Sequence, residues 1–407
     1  MNPAIESDLL PHDTLRPDCR RPSGFKISTP ALILSESEIV KASRAVKRVS
    51  TAGYFEVLYS LKPLSMYSVL ELVASEVDGF SVSSPFEAML ARESGGHRAT
   101  IHYSSPGLQP RDVSTVLHCC NAVSFNSLGQ YRALVDVMAD TIECGIRINP
   151  RLSFVNDKRY DPCRPDSRLG IPIDQIEREV EKDISQFRYV NGLHFHNNCD
   201  STDLSGYAKT VLHLEGRLPR LFSQLKWINL GGGYIVTELS DTTPLKNIVE
   251  YLHAKYGVTV FMEPGASIVR SAGYLVASVV DIVRNNGKAI AILDTTVNHM
   301  PEVFEYQFEP DVLGHRDDGK YEYIFAGCSC LAGDILGTYA FDEPVRVGQR
   351  VVVKDMGAYT LVKANMFNGI CLPNIYLLKS DGELSLVKEF GYEDYLSTCG
   401  AVSHESV

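Results

Sequence analysis

The stretch KWINLGGG, residues 226–233, is a short apolar run that ends in glycines, and similar runs recur through the first two thirds of the chain. Each has the length of a buried strand and ends in polar residues or glycine, and helical-looking stretches lie between several of them. The other seven are EVLYSL (56–61), GFSVSS (79–84), TIHYSS (100–105), AVSFNS (122–127), CGIRINP (144–150), GLHFHNN (192–198) and VTVFMEPG (258–265). Because parallel strands need a crossover of helix length, strand–helix units in this number predict an α/β fold, a (β/α)8 TIM barrel.

The carboxyl ends of these strands carry the residues with the most distinctive chemistry. In a TIM barrel the strand ends meet at one mouth, where the active site lies. The residues expected there are Lys62, Arg147, His196, Gly231, Gly232, Gly233, Glu263 and Gly265. A lysine nucleophile, a ring for stacking, a glycine run for a phosphate and a carboxylate together fit pyridoxal 5'-phosphate.

The composition changes along the chain and divides it into regions. Residues 1–22 are polar and broken by proline, which predicts a loose arm, and the barrel is expected over 36–272. Farther on, GYLVASVVDIV, AIAILDTTV, YEYIFAG and VRVGQRVVVKD are strand-like, and RNNGK between the first two is typical of a hairpin. We therefore expect a mostly β domain over 23–35 and 273–390, followed by a C-terminal tail over 391–407.

The composition also argues against several classes of protein. The 407 residues are 44% hydrophobic and 22% charged, which is ordinary for a globular enzyme. A net charge of −11 without a basic run argues against nucleic-acid binding. The ten cysteines lack the spacing of a zinc site and indicate reduced thiols in a cytoplasmic protein. No apolar stretch has the length of a membrane span, and the N-terminus lacks the apolar core of a signal peptide.

Each candidate at the barrel mouth also has an ordinary structural interpretation. A lysine at a strand end, such as Lys62, is commonly exposed, and it acts as a nucleophile only where burial lowers its pKa. The run Gly231–Gly233 is either a tight turn without a ligand or an anion-binding nest of backbone N–H groups. Glu263 is either satisfied by the turn that follows it or holds the protonated ring nitrogen of the cofactor.

Two histidines share one face of the sixth strand, because alternation along a strand turns His194 and His196 to the same side. A buried histidine satisfied by its neighbours is the usual interpretation of either. We assign His196, nearer the mouth, to stacking on the cofactor ring and His194 to the barrel interior. Cys330 lies in the predicted β domain, where a buried structural thiol is the default interpretation.

Motifs spread over the chain from about residue 28 to residue 378 carry a family resemblance. They are YSLKP, GLHFHNNCD, WINLGGGY, MEPG, FAGCSCLAGDILGTYAFDEPVRVGQRVVVKDMGAYT and FNGICLPNI. In this order they resemble the fold-type III, pyridoxal-phosphate-dependent amino-acid decarboxylases, most of all the carboxynorspermidine (carboxyspermidine) decarboxylase branch. The resemblance implies an alanine-racemase-like barrel with a mostly β C-terminal domain.

The resemblance also implies cofactor roles for the matching residues. Lys62 would carry the cofactor, His196 would stack on its ring and Glu263 would pair with its pyridinium nitrogen. The implied phosphate contacts are Gly231, Gly232, Gly233, Gly265 and Tyr359.

The resemblance further implies a homodimer whose active sites are completed across the interface. Cys330 would return a proton to the carbanion left by loss of CO₂, and Asp334 would hold a substrate amine. The further candidates for substrate contact are Arg147, Asp200 and Glu302.

Three positions on the substrate side depart from the pattern of this branch. Asp200 stands where the branch usually has glutamate, Ala266 follows MEPG where many relatives carry a polar side chain, and DTTVNHMPEVFEYQFEP is shorter and lacks a cysteine. The expected reaction is α-decarboxylation of an amino acid carrying a carboxyaminopropyl group, most directly carboxynorspermidine or carboxyspermidine in polyamine synthesis. The alternatives are the same chemistry on a natural-product or nucleotide-linked carboxyaminopropyl group, a diamino-acid substrate (diaminopimelate, lysine or ornithine), and a catalytically silent binding protein.

Overall fold

The computed structural model describes residues 27–49, 52–155 and 157–400, and these form two compact units. Ile39–Ile268 is one unit, and the described residues up to Glu38 together with those from Val269 onward are the other.

The first described strand, β1 (Ala31–Ser35), runs directly into helix α1 (Glu36–Lys47). The backbone N–H of Glu38 donates to Ser35 Oγ at 3.4 Å. A serine hydroxyl that accepts from an amide of the first turn satisfies a donor that lacks a partner within the helix. Ser35 therefore caps helix α1.

The strands of Ile39–Ile268 close into the predicted parallel barrel of eight strands. Each strand pairs in parallel with the next, and the last pairs with the first through Val260 and Phe55. The barrel strands are β2 (Phe55–Ser60), β3 (Gly79–Val82), β4 (Thr100–Ser105), β5 (Ala122–Phe125), β6 (Glu143–Asn149), β8 (Gly192–His194), β9 (Trp227–Asn229) and β10 (Thr259–Met262), with the short β7 (Ile171–Pro172) beside β6. All eight strands predicted from the sequence are present.

The helices of this unit follow the strands, as in other TIM barrels. They are α2 (Tyr67–Ala74), α3 (Pro85–Gly95), α4 (Val113–Cys119), α5 (Leu128–Met138), α6 (Ile173–Lys182), α7 (Ser205–Arg217), α8 (Pro219–Phe222), α9 (Thr243–Tyr256) and α10 (Ala266–Val269). Ser84 and Ser127, which the sequence placed at strand ends, instead cap α3 and α5, accepting from the amides of Glu87 at 3.2 Å and Gln130 at 3.1 Å. The strands therefore end earlier than predicted.

The other unit contains a mixed sheet of eight strands in the order β14-β13-β12-β11-β1-β16-β17, with β15 paired to β11. The additional strands are β11 (Gly273–Asn285), β12 (Lys288–Leu293), β13 (Tyr321–Ala326), β14 (Ile335–Phe341), β15 (Arg350–Val353), β16 (Asn374–Leu378) and β17 (Leu384–Lys388), and the helices are α11 (Pro301–Tyr306) and α12 (Tyr392–Thr398). Strand β1 lies between β11 and β16. Helix α12 lies within the segment that the sequence assigned to a tail.

The predicted hairpin between β11 and β12 is present. Asn286 has φ of 47° and Gly287 has φ of 76°, so both central residues are left-handed, as a type I′ turn requires. Asparagine and glycine are the residues that adopt this conformation at least cost, which is why RNNGK predicted the turn.

Inside the barrel, an apolar cluster lies below a polar layer, two residues nearer the amino ends of the strands. Leu58, Ala122, Trp227 and Phe261 form the cluster. Side chains two residues farther along a strand point to the same side. This alternation puts Asn229 and Glu263 into the barrel interior above the apolar cluster.

None of the helices within the described ranges is long and apolar enough to cross a bilayer.

Candidate active site

Lys62 lies just beyond the end of β2, at the barrel mouth. Its side chain is accessible to solvent, yet protein surrounds it closely enough to desolvate the ammonium group. This desolvation, and secondarily the nearby guanidinium of Arg147, lowers the pKa of Lys62 from its usual value. A lowered pKa increases the fraction of neutral amine, which is the nucleophilic form.

Glu263 follows β10 and is 9% exposed. Its Oε1 accepts from His102 Nδ1 at 2.6 Å and from Asn229 Nδ2 at 2.7 Å, and its Oε2 lies 3.6 Å from His194 Nε2. Burial alone would raise the pKa of Glu263, but the two histidines and the asparagine amide hold it well below its usual value. The side chain is therefore a carboxylate near neutral pH.

His196 is half-buried beyond the end of β8, and its ring orientation is fixed by the backbone. The N–H of Gly232 donates to His196 Nδ1 at 3.1 Å, which leaves the proton of the neutral ring on Nε2. Burial, followed by the charges of Lys62 and Arg147, lowers the pKa of His196 to about 3. The ring is therefore uncharged at neutral pH.

The run Gly231–Gly233 forms the turn after β9, and side chains do not fit there. Gly233 has φ of 90°, and a Cβ atom on it would lie 2.0 Å from the carbonyl oxygen of Asn198. The amide of Gly231 donates to Asn229 Oδ1 at 2.8 Å, and that of Gly232 is used by His196. Within the described residues only the Gly233 amide of this run lacks a protein acceptor, so one amide of the turn is available to an anion.

Two further residues of the barrel complete its mouth. Arg147 lies on β6 beside His194 of β8, and burial lowers the pKa of its guanidinium. Gly265 follows Glu263, and a Cβ atom on it would lie 2.7 Å from the ring of Pro63, which adjoins Lys62. The barrel therefore brings Lys62, Arg147, His196, the glycine turn, Glu263 and Gly265 to one end.

The segment between β6 and β7, described over 150–155 and 157–170, is attached to the same end of the barrel. The side chain of Asn126 donates to the carbonyl of Arg168 at 2.8 Å and accepts from the amide of Gly170 at 2.8 Å. Asn197 donates to the carbonyl of Leu152 at 3.0 Å. These contacts hold both ends of the segment against the carboxyl ends of β5 and β8.

Cys330 and Asp334 lie in the other unit, on the loop between β13 and β14. Cys330 is exposed, and its amide donates to Asn368 Oδ1 at 2.9 Å. Asp334 is 3% exposed and accepts from the amides of Val297 at 2.8 Å and Ser329 at 3.1 Å. Both of its carboxylate oxygens are thus engaged inside the unit. The substrate-amine contact that the resemblance implies for Asp334 stays a prediction.

The three remaining candidate site residues differ in exposure and in backbone conformation. Glu302, at the start of α11, lies 3.5 Å from Lys363 Nζ, and burial raises the pKa of its carboxyl group. Tyr359 is half-buried and has a left-handed φ of 57°, which is uncommon for an aromatic residue. Asp200 is exposed on the loop after β8, also with a left-handed φ, of 53°.

Comparison with known proteins identifies the family. Residues 36–270 match the model of the family "Pyridoxal-dependent decarboxylase, pyridoxal binding domain". The chain belongs to the pyridoxal-dependent decarboxylases. The match covers the barrel and includes Lys62, His196 and Glu263, and the cofactor of this decarboxylase is pyridoxal phosphate.

Relatives of this decarboxylase match along nearly their whole length. The carboxyaminopropylagmatine decarboxylase of Synechocystis sp. is 33% identical over 92% of this chain and 96% of that protein. The carboxynorspermidine/carboxyspermidine decarboxylase of Campylobacter jejuni is 33% identical over 91% of this chain and 98% of that protein. The crystal structure of the Campylobacter jejuni carboxynorspermidine decarboxylase complexed with norspermidine superposes with a TM-score of 0.82, at 32% identity over 91% of this chain and 100% of that one.

The residues of the barrel mouth fit the cofactor of the family. Glu263 is a buried carboxylate whose Oε1 holds two donors, whereas Oε2 is approached only by His194 at 3.6 Å among the described residues. A negative oxygen of this kind suits a pyridinium N–H. Lys62 has no hydrogen-bond acceptor within the described part of the chain, and the Gly233 amide is available to a phosphate.

Three polar residues of the site were not predicted: His102 and Asn229, which contact Glu263, and Ser124, which contacts His102. The sequence carries a signal for His102, because Thr100, His102 and Ser104 alternate with apolar residues along TIHYSS and therefore share one face. That alternation does not say which face points inward, and the pairing of β4 within the closed barrel decides it.

Proposed function

We propose that this decarboxylase removes the α-carboxylate of an amino acid that carries a carboxyaminopropyl group, as a step of polyamine synthesis. The proposal rests on one observation: this chain is 33% identical to each of two decarboxylases whose names specify such amines. Their substrates share the reacting carboxyaminopropyl end and differ at the far end, which is a guanidinium in one and an ammonium in the other. A chain with a net charge of −11 suits either cationic substrate.

Lys62, His196 and Glu263 are proposed to hold the cofactor. Lys62 Nζ would attach it covalently, the neutral ring of His196 would stack on it, and Glu263 Oε2 would keep a proton on its ring nitrogen. The proposed phosphate contacts are Gly231, Gly232, Gly233, Gly265 and Tyr359, with the amide of Gly233 as the donor of the turn that lacks a protein partner. When bound, pyridoxal phosphate accepts the electron pair left behind as the bond to the carboxylate breaks.

Cys330 is proposed as the acid that completes the reaction. Its exposed Sγ–H would transfer a proton to the carbon that has lost CO₂. Asp334 would act through this loop, because its carboxylate binds the amide of Ser329, the residue before Cys330. The proposed substrate contacts are Arg147, Asp200, Glu302 and, as the resemblance implies, Asp334.

The proposed assembly is a cytoplasmic homodimer in which Cys330 serves the barrel of the partner. Support comes from the family resemblance and from the cysteines, all of which are free in the described part of the chain. Mixing the Lys62→Ala and Cys330→Ala proteins tests the sharing of sites. Random reassortment would make half of the dimers mixed, each with one intact site, and restore about a quarter of wild-type activity. Sites contained within one chain would give no recovery.

Substrate choice is tested by CO₂ release from the purified protein supplied with pyridoxal phosphate. The panel is carboxynorspermidine, carboxyspermidine, carboxyaminopropylagmatine, diaminopimelate, lysine and ornithine. We expect kcat/KM for at least one of the first three to exceed the others by about a hundredfold or more, since unpaired polar groups penalise wrong substrates strongly. Release from diaminopimelate, lysine or ornithine alone would overturn the proposal. The ranking among the first three shows whether the far end is an ammonium or a guanidinium.

A further inference from the structure

A chain of buried hydrogen bonds runs through the barrel interior and includes Glu263. Ser124 Oγ lies 2.8 Å from His102 Nε2, and His102 Nδ1 lies 2.6 Å from Glu263 Oε1. From the other side Asn229 donates to the same oxygen at 2.7 Å and accepts from the amide of Gly231 at 2.8 Å. Ser124, His102 and Asn229 are at most 1% exposed.

The positions of the protons along this chain follow from the acceptor at its centre. A carboxylate oxygen only accepts, so His102 Nδ1 carries a proton and donates it to Glu263. In a neutral ring Nε2 is then the acceptor, and the hydroxyl of Ser124 is its donor. The orientation of the Asn229 amide is set independently, because its Oδ1 accepts from Gly231. With a neutral ring, the four hydrogen bonds named here each have one direction, and the 2.9 Å contact of Asn229 Nδ2 with His102 Nδ1 lies between two donors.

These hydrogen bonds engage Oε1 of Glu263 and leave Oε2 available to accept a hydrogen bond from a ligand. Both donors converge on Oε1, whereas Oε2 has His194 at 3.6 Å as its neighbour. The ring of His102 is held in place by edge-to-face contacts with His194, at 5.2 Å between centroids, and with Trp227, at 5.5 Å. A carboxylate held in this way does not need to reorient when a ligand arrives.

We propose that His102 is a positioning residue that fixes Glu263 as the acceptor for the cofactor ring nitrogen, and that Asn229 ties this acceptor to the glycine turn after β9. The inference rests on the proposed function, which assigns Glu263 to that nitrogen. His102 acts through Glu263 and does not itself touch substrate.

The test compares two ligands of the full-length protein freed of cofactor: pyridoxal phosphate and its analogue with C–H in place of the ring nitrogen. Trp227 is the one tryptophan of the chain, and quenching of its emission gives both dissociation constants. Their ratio measures the contact with the ring nitrogen alone. A general folding defect weakens both ligands equally and leaves the ratio unchanged.

We expect the wild-type protein to prefer pyridoxal phosphate by about tenfold to a hundredfold, the range for a hydrogen bond to a charged group. Glu263→Gln should abolish this preference. His102→Leu should reduce it at least about fivefold, because Glu263 loses one of the donors that hold it. Ser124→Ala should reduce it by a smaller factor. His118→Leu, at an exposed position of α4, should leave it unchanged.

The outcomes separate this inference from the function on which it rests. If Glu263→Gln keeps the preference, the assignment of Glu263 fails and the inference fails with it. If Glu263→Gln abolishes the preference while a folded His102→Leu protein retains it, only the role of His102 is overturned. If His102→Leu does not fold, Ser124→Ala decides, and an unchanged ratio in that variant rejects the inference.

Discussion

The indole ring of Trp227 fills the space in which a side chain at Gly192 would lie. A Cβ atom on Gly192 would fall 1.8 Å from Trp227 Cε2, and one on Gly145 of the neighbouring strand would fall 2.5 Å from the same ring. The indole is 3% exposed and stacks on Phe261 at 5.5 Å between centroids. Two glycines on adjacent strands thus make room for the large side chain that supports the polar layer around Glu263.

Replacing Gly192 with alanine should therefore displace the indole. Even small additions to a packed core are costly, and here the added methyl group overlaps ring atoms, so we expect a loss of about 3 kcal/mol or more in the free energy of unfolding. Urea unfolding followed by Trp227 emission measures the loss, and a red-shifted native spectrum would show the exposed ring. Wild-type stability with an unshifted spectrum would contradict the packing described here.

Gly216→Ala is the matched control in the same unit. Gly216 lies in α7, and a Cβ atom there would have no neighbour within 4 Å. Alanine is the better helix former, so this variant should gain about 0.5–1 kcal/mol. If the free energy of unfolding falls on substitution of Gly192 and rises on substitution of Gly216, the effect at Gly192 comes from lack of space.

The fold was predictable from the sequence because each barrel strand is a local signal. A run such as AVSFNS is apolar and ends in polar residues, and the strands that pair with it are the ones that precede and follow it in the chain. The hairpin at Asn286–Gly287 was predictable for the same reason, since left-handed turns select a few residue types. Strand ends were less predictable, because Ser84 and Ser127 serve equally well as strand residues or helix caps.

The contacts of the site were less predictable than its members. Lys62, His196 and Glu263 occur at strand ends, and closure of the barrel brings them together. The donors to Glu263 come from other strands, so no local pattern identifies His102 or Asn229 as its partners. The burial of Asp334 has the same origin, because the amide that it binds at Val297 is distant in the sequence.

Lys62→Ala should lose the visible absorbance of bound pyridoxal phosphate together with activity. Lys62 is the residue proposed to attach the cofactor covalently, and its lowered pKa increases the fraction of the neutral, nucleophilic amine. Lys226→Ala, at a lysine whose side chain is 68% exposed, should keep both properties. Retained absorbance in the Lys62→Ala protein would reject the assignment.

Cys330→Ala should keep the absorbance of the bound cofactor and lose clean product formation. Removing Sγ–H removes the proposed proton donor but none of the proposed cofactor contacts. Mass spectrometry of the product, with single-turnover CO₂ release, separates proton return from loss of CO₂. Cys328→Ala is the control, since this thiol is also exposed and lies on the same loop. Unchanged turnover and product in the Cys330→Ala protein would exclude the acid role.

Asp334→Ala should destabilise the protein by about 2–4 kcal/mol, because two backbone amides would lose a buried, charged acceptor. It should also lower kcat by disturbing the loop that carries Cys330. Denaturant unfolding and steady-state kinetics measure the two effects, with Asp200→Asn, at an exposed position, as the control for stability. A higher KM with unchanged stability would instead favour the substrate-amine contact implied by the resemblance.

Acid should destabilise the cofactor-free protein through the buried histidines of the barrel. Burial lowers the pKa of His196 to about 3 and that of His194 well below the ordinary 6.5. Between pH 6.5 and about 3 the unfolded chain therefore binds a proton at His196 that the folded chain does not, so the free energy of unfolding falls as the pH falls. A fully buried group of this kind contributes a slope of at most about 1.4 kcal/mol per pH unit, and the partial exposure of His196 makes its share smaller.

The pH dependence is measured as the urea midpoint of the full-length, cofactor-free protein at a series of pH values below neutrality. His196→Asn removes one titrating group and should flatten the slope, whereas His118→Asn controls for the loss of a histidine at an exposed site. Other acid-sensitive groups, including Glu263, act equally in all three proteins, so the difference between slopes belongs to His196. An equal slope in the wild-type and His196→Asn proteins would mean that His196 accepts a proton as readily in the folded chain as in the unfolded one. In that case its ring would not be the neutral stacking surface proposed for the cofactor.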